Sequence, residues 1–205
     1  MYPAVELLTG LIFLACLSAF GLSLATLKWV VISCVLLVLV FTDMIDRILP
    51  DPINYFGLGT ALILSFFLEP ADGTAAWLAE KISAYPPPAP ALSFVDALLG
   101  AALGGGLLWL VGEVYLKWRG REGMGFGDVK MMAMTGAFLG PQRTFLTILV
   151  GSLLGSVLGL LFILVGRKNS DYELPFGAFL GFAAFLVVFF GSPVLNWYLR
   201  FSGIR

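Results

Sequence analysis

The chain has 205 residues, 60% of them hydrophobic and only 12% charged, and its mean hydropathy is +0.97. That is far more apolar than a soluble domain, and a net charge of −1 gives no electrostatic case for binding nucleic acid. The absence of histidine excludes a HExxH zinc protease and any Ser–His or Cys–His nucleophile, so an enzyme built here must use carboxylates, Lys, Tyr or backbone groups.

No polar stretch is long enough for a second folded unit, so residues 1–205 read as one membrane-embedded, all-α polytopic domain of about seven spanning helices. The first apolar run covers residues 7–27. It has no basic segment before it, so it is not read as a signal peptide. Glu6 at its start suits the helix dipole. Lys28 and Trp29 are expected at an interface. The second run, residues 30–42, ends at Asp43-Met44-Ile45-Asp46-Arg47-Ile48-Leu49-Pro50-Asp51-Pro52, where two prolines stop any helix. The third run covers 53–68.

Residues 69–93 form the only long polar segment and are expected outside the cytoplasm. A short surface helix is expected over 75–82, and Pro86-Pro87-Pro88-Ala89-Pro90 reads as a polyproline II stretch. The fourth run, 97–116, contains Gly104-Gly105-Gly106, which marks close helix packing, and Glu113, which can pair with Lys117 one turn on. The fifth run, 129–139, is short for a bilayer that needs about 20 residues. It must start deep, lean on its neighbours or open into a wet cavity. The sixth run, 144–165, carries Gly151 and Gly155 in a small-xxx-small pattern, and the last covers 176–198. Cys16 and Cys34 sit inside apolar runs without CxxC spacing, so packing is their better reading, and no metal or cofactor is expected.

Basic residues orient the chain. Arg47, then Lys117, Arg119 and Arg121, then Arg167 and Lys168 fall in loops on one side, which is expected to be cytoplasmic. The other side has Lys28, Lys81 and Arg143, and the C-terminal Arg200 and Arg205 weaken the bias without reversing it. Asp43, at the end of the second run, and Asp128, at the start of the fifth, then share the cytoplasmic side.

Asp128 closes the stretch Gly123-Met124-Gly125-Phe126-Gly127-Asp128. Three alternate glycines make a backbone that other chains can approach closely. An ordinary Gly-rich loop with an N-cap aspartate is the competing reading. An ionisable residue at a membrane helix end is a functional-site hypothesis by default. Two carboxylates at one depth in a water-poor site can share a proton, so that one activates water while the other donates to a carbonyl. The helix dipoles suggest Asp128 as the anion and Asp43 as the acid. Asp46 and Asp51 are rivals to Asp43, but only Asp43 is contiguous with the apolar run. Asp51, between two prolines, reads as a turn residue.

Two stretches together resemble the prepilin peptidases, or type IV leader peptidases, a GxGD aspartic protease family. Asp43 through Pro50-Asp51 resembles their aspartate-x6-Pro-Asp segment, and Gly125-Phe126-Gly127-Asp128 their Gly-x-Gly-Asp segment. Tyr2-Pro3-Ala4-Val5-Glu6 and Leu174-Pro175-Phe176-Gly177 look like further landmarks. The resemblance implies a bacterial inner-membrane endopeptidase that cuts the basic leader of type IV prepilins or type II secretion pseudopilins after a glycine, at the cytoplasmic face. It implies Asp43 and Asp128 as the catalytic pair and Gly125 and Gly127 as the place where substrate backbone comes close. Family members commonly carry an earlier helix and a cytoplasmic segment with two CxxC pairs before the Tyr-Pro stretch. The sequence here starts at Met1-Tyr2-Pro3, as a short or trimmed member would, and these residues put metal binding and N-methyltransferase activity in question.

Asp46, Asp51 and Glu122 are expected to seat a basic leader, and Lys130 to contact substrate or to snorkel to the interface. The expected partners are prepilin or pseudopilin substrates and the lipid bilayer, and the oligomeric state is left open. Two alternatives stand beside this. One is a GxGD protease for another membrane substrate. The other, of a different class, is a proton- or ion-coupled transporter using Asp43, Asp128 and Lys130 as a relay, against which the chain shows no internal repeat.

Overall fold

The structure, a computed structural model, describes residues 2–82, 87–166 and 175–203. Pro86, Arg167, Lys168, Leu174 and Arg205, all used above, lie outside the described residues. Among the described residues there are eight helices and no strand: α1 (Tyr2–Phe20), α2 (Leu24–Asp46), α3 (Asp51–Ser65), α4 (Thr74–Ile82), α5 (Ala89–Arg119), α6 (Phe126–Leu139), α7 (Pro141–Gly166) and α8 (Phe176–Phe201). The seven apolar runs are therefore seven helices, and the short polar helix is α4. Among the described residues, four stretches are long and apolar enough to cross a bilayer: Leu24–Asp46, Ala89–Arg119, Pro141–Leu161 and Phe176–Phe201. The fold is that of an all-α, multi-pass membrane protein.

Two boundaries differ from the hydropathy reading. The first break falls at Gly21, in a left-handed conformation (φ +66°), seven residues before Lys28. Ser23 then caps α2, its hydroxyl accepting the Thr26 N–H at 3.3 Å. Local capping chemistry overrides apolar continuity here. Lys28 and Trp29 consequently lie inside the first two turns of α2 and are buried, with the Lys28 ammonium 5.0 Å from the Trp29 ring centre. The second difference is the start of α5, inside the segment expected to be a loop. Pro88 keeps an extended backbone (φ −62°, ψ 148°), but Ala89 and Pro90 already belong to the helix. Proline suits a first helical turn because no partner is needed there for its missing N–H. The other end of the polar segment is tied down by Asp96 of α5. Its fully buried carboxylate accepts the N–H groups of Gly73 at 3.0 Å and Ala75 at 2.6 Å.

The short helix α6 forms the centre. Met131, Met132, Met134, Thr135, Phe138 and Leu139 are all fully buried. With 14 residues it leans on its neighbours rather than meeting lipid along its length. Glycines permit that approach. A Cβ on Gly100 would run into the Gly136 carbonyl, and one on Gly104 into that of Met132, so α5 lies directly on α6. A Cβ on Gly105 would stand 2.9 Å from Ala133, while Gly106 faces open space. Gly151 sets α7 against α8 in the same way, 2.8 Å from Leu180 by the same measure. The Glu113–Lys117 pair forms at 3.9 Å on the exposed end of α5. This packing brings the C-terminal end of α2 and the N-terminal ends of α6 and α8 together.

Candidate active site

Asp43 belongs to the last turn of α2 and Asp128 to the first turn of α6. Both are 6% exposed. The third contributor is the N-terminus of α8. The Ala178 N–H donates to Asp43 Oδ2 at 2.6 Å. Gly177, one residue earlier, lies between the two carboxylates: a Cβ placed on it would be 2.7 Å from Asp128 Oδ1 and 3.1 Å from Asp43 Oδ2. The two oxygens are therefore no farther apart than those two distances end to end. Asp43 and Asp128, 85 residues apart in the chain (128 − 43), thus bring their carboxylates together across one glycine, at a place where an added methyl group would be crowded from both sides.

Asp43 stands between two helix dipoles, not only at the C-terminus of α2. The carboxylate also accepts from the N-terminus of α8, whose dipole has the opposite sense. Helix dipoles alone therefore do not divide the acid and base roles between Asp43 and Asp128.

A cavity of about 540 Å³ opens onto the pair. Its wall includes Arg47, Leu49, Asp51, Glu122, Gly125 and Gly127 as well as both aspartates. Asp46 is exposed at the end of α2 and does not line it. Asp51 opens α3 and pairs with Lys130 at 2.6 Å, so these two residues engage each other across the α3–α6 contact. Lys130 also stands 5.1 Å from the Phe126 ring centre. The three alternate glycines have different neighbours. Gly123 lies against the Tyr115 ring, and Gly127 lies against Leu49, 3.0 Å from its Cβ by the same construction. Gly125 is the open one, with only the Asp128 carboxyl within 3.7 Å. Two of the three close approaches are thus made by the chain itself.

Three contributors were not singled out by residue type: the Ala178 amide, Gly177 and Leu49. The signal for the first two was present in Pro175-Phe176-Gly177, a proline immediately before a helix start with a glycine in its first turn. Nothing local marks Leu49.

A polytopic membrane protein in which two buried aspartates from separate helices face one cavity fits the class of intramembrane aspartic proteases. Residues 29–160 match the model of the type IV leader peptidase family, and the chain belongs to that family. Among curated proteins, one named prepilin leader peptidase/N-methyltransferase from Xanthomonas campestris pv. campestris is 33% identical over 208 residues, covering 100% of this chain and 64% of the relative. Proteins of the same name from Aeromonas hydrophila (31% over 202 residues, 97% of this chain and 61% of the relative) and Pseudomonas aeruginosa (32% over 204 residues, 100% and 63%) are similar to it as well. The chain therefore spans somewhat less than two thirds of the curated relatives it matches. No solved structure matches it.

Proposed function

We propose that this chain is a membrane aspartic endopeptidase that cuts the basic leader from type IV prepilins or type II secretion pseudopilins after a glycine, at the cytoplasmic face of the bacterial inner membrane. The single observation that carries the reading is the meeting of Asp43 and Asp128 across Gly177 in a member of the type IV leader peptidase family. Residues 1–205 act as one membrane-embedded peptidase domain, with the polar segment on the opposite, extracytoplasmic side. The excess of Lys and Arg in the loops on the carboxylate side supports that orientation. The names of the relatives carry a second activity, and the proposal is confined to the peptidase.

The mechanism uses the pair as a unit. Two buried carboxyls this close do not easily both ionise, so they hold one proton between them. The ionised member takes a proton from a water between them as its oxygen attacks the peptide carbonyl. The protonated member donates to the carbonyl oxygen, and the resulting tetrahedral adduct collapses with proton transfer to the leaving amine. The Ala178 N–H fixes the Asp43 carboxyl and so its orientation toward that water. Glu122 and Asp51 give the cavity acidic walls for a basic leader, although Asp51 also answers to Lys130. The apolar exterior supplies the bilayer that holds the substrate's own membrane segment beside the cavity.

The test is cleavage of a model prepilin by purified chain in detergent, with wild type beside Asp43→Asn and Asp128→Asn. Wild type should release the leader after its glycine, and each single variant should be folded and inert. A wild-type chain that leaves the prepilin intact, or an Asp43→Asn variant that still cuts while Asp46→Asn does not, overturns the assignment.

A further inference from the structure

Leu49 occupies a place the peptidase mechanism above does not use. It lies in the four-residue linker between α2 and α3, residues 47–50. The linker has little freedom: Arg47 holds a left-handed backbone (φ +55°) and Pro50 a fixed φ of −62°. Leu49 is therefore set between the two aspartate-bearing helix ends. Its Cδ1 lies 2.9 Å from the position a Cβ would take on Gly177, and its Cβ lies 3.0 Å from the corresponding position on Gly127. Leu49 therefore packs against both glycines and lines the cavity beside Gly127 and the two carboxylates, so the wall there is one residue without a side chain and one isobutyl group.

We propose that Leu49 sets the size limit of the substrate residue whose carbonyl is attacked. The inference rests on the peptidase reading and deepens it. For hydrolysis, that carbonyl carbon must come within about 3–3.5 Å of a water held by both carboxylates. The substrate Cα then lies against the part of the cavity wall that Leu49 and Gly127 form beside the two carboxylates. Leu49 is packed from behind by Gly127 and Gly177 and lines the cavity beside the carboxylates, so it stands in the way of a methyl group on the substrate Cα. A glycine passes; an alanine requires Leu49 to move. Selection against a side chain is thereby made by a hydrophobic wall rather than by a polar contact, and such walls discriminate one carbon by about 10- to 200-fold.

A residue that merely packs would, when trimmed, lower stability and the turnover of every substrate alike. A size-limiting wall changes a ratio. The experiment uses two model membrane peptides with a basic leader, identical except for Gly or Ala before the scissile bond. The readout is kcat/KM for the Ala peptide divided by that for the Gly peptide, in wild type, Leu49→Ala, Leu49→Val and Leu49→Met. The ratio should rise at least about tenfold in Leu49→Ala, by a smaller factor in Leu49→Val, and stay near wild type in Leu49→Met, which conserves volume. If Leu49→Ala is not recovered folded, Leu49→Val decides by the same ratio. An unchanged ratio in a folded, active shortened variant overturns the inference while leaving the peptidase standing. A wild-type chain that cuts neither peptide refutes the peptidase reading itself, and the inference with it.

Discussion

Gly177→Ala tests the site with one methyl group. The added carbon would stand 2.7 Å from Asp128 Oδ1, 2.9 Å from Leu49 Cδ1 and 3.1 Å from Asp43 Oδ2, where ordinary contact begins at 3.4 Å. Each of three neighbours must retreat by several tenths of an ångström. Leu49 can rotate. The Asp43 carboxyl can rotate away only by giving up the Ala178 N–H, and the Asp128 carboxyl, buried at the start of α6, would have to turn away from Asp43. Overpacking of this kind costs about 1–3 kcal/mol of stability, which a multi-helix fold survives. Catalysis is less forgiving: a misplacement of about 1 Å costs on the order of 100-fold, so smaller shifts in both carboxylates should lower kcat by about 10- to 100-fold. The assay is steady-state prepilin cleavage in detergent, with thermal unfolding followed in parallel. Gly155→Ala is the control, since its Cβ would make an ordinary 3.4 Å contact with Phe179. A Gly177→Ala enzyme that is folded and keeps kcat within about twofold of wild type refutes the claim that the missing side chain at Gly177 lets the two carboxylates meet.

The same geometry makes three further predictions. Gly100→Val should separate α5 from α6 and cost upwards of about 3 kcal/mol, read as a large fall in melting temperature, whereas Gly106→Ala faces open space and should be neutral or slightly stabilising. The Asp51–Lys130 pair is half exposed on its acidic side, so a double-mutant cycle with Asp51→Asn and Lys130→Met should return little or no coupling by chemical or thermal unfolding; a clear coupling would show that the pair is screened from water. Asp96→Ala leaves the Gly73 and Ala75 amides without their acceptor and should cost about 2 kcal/mol of unfolding free energy, yet leave kcat near wild type because α4 lies at the opposite end of the helices from Asp43 and Asp128.

What was legible in the sequence follows from the range over which each signal acts. Apolar runs separated by Gly, Pro and charge are local signals, so all seven apolar helices and the short α4 were readable from residue order. The break at Gly21 was not, because the residues that follow Ser23 are as apolar as those before it, and only a left-handed glycine and a capping hydroxyl decide where the chain turns. The start of α5 was hidden by prolines, which stop a helix when inside it and begin one when in its first turn. The burial of Lys28 was equally hidden, because its contact with the Trp29 ring depends on the packing of the bundle around the first turns of α2.

The aspartates were legible for a different reason. Each sits where an apolar helix meets a Gly- or Pro-rich segment, so its position at a helix end could be read without knowing its neighbours. Their mutual approach was inferred from a shared side of the membrane, which restricts depth and says nothing about distance. Distance is set by α8, whose first turn carries no charged side chain and so offered no chemistry to notice. Its contribution is a backbone N–H and a missing methyl group. Both are invisible to a reading by residue type, and both bear on the carboxylates more directly than any of the acidic residues named for leader binding. That is why the sharpest perturbation of this site is a methyl group at Gly177 rather than another change of charge.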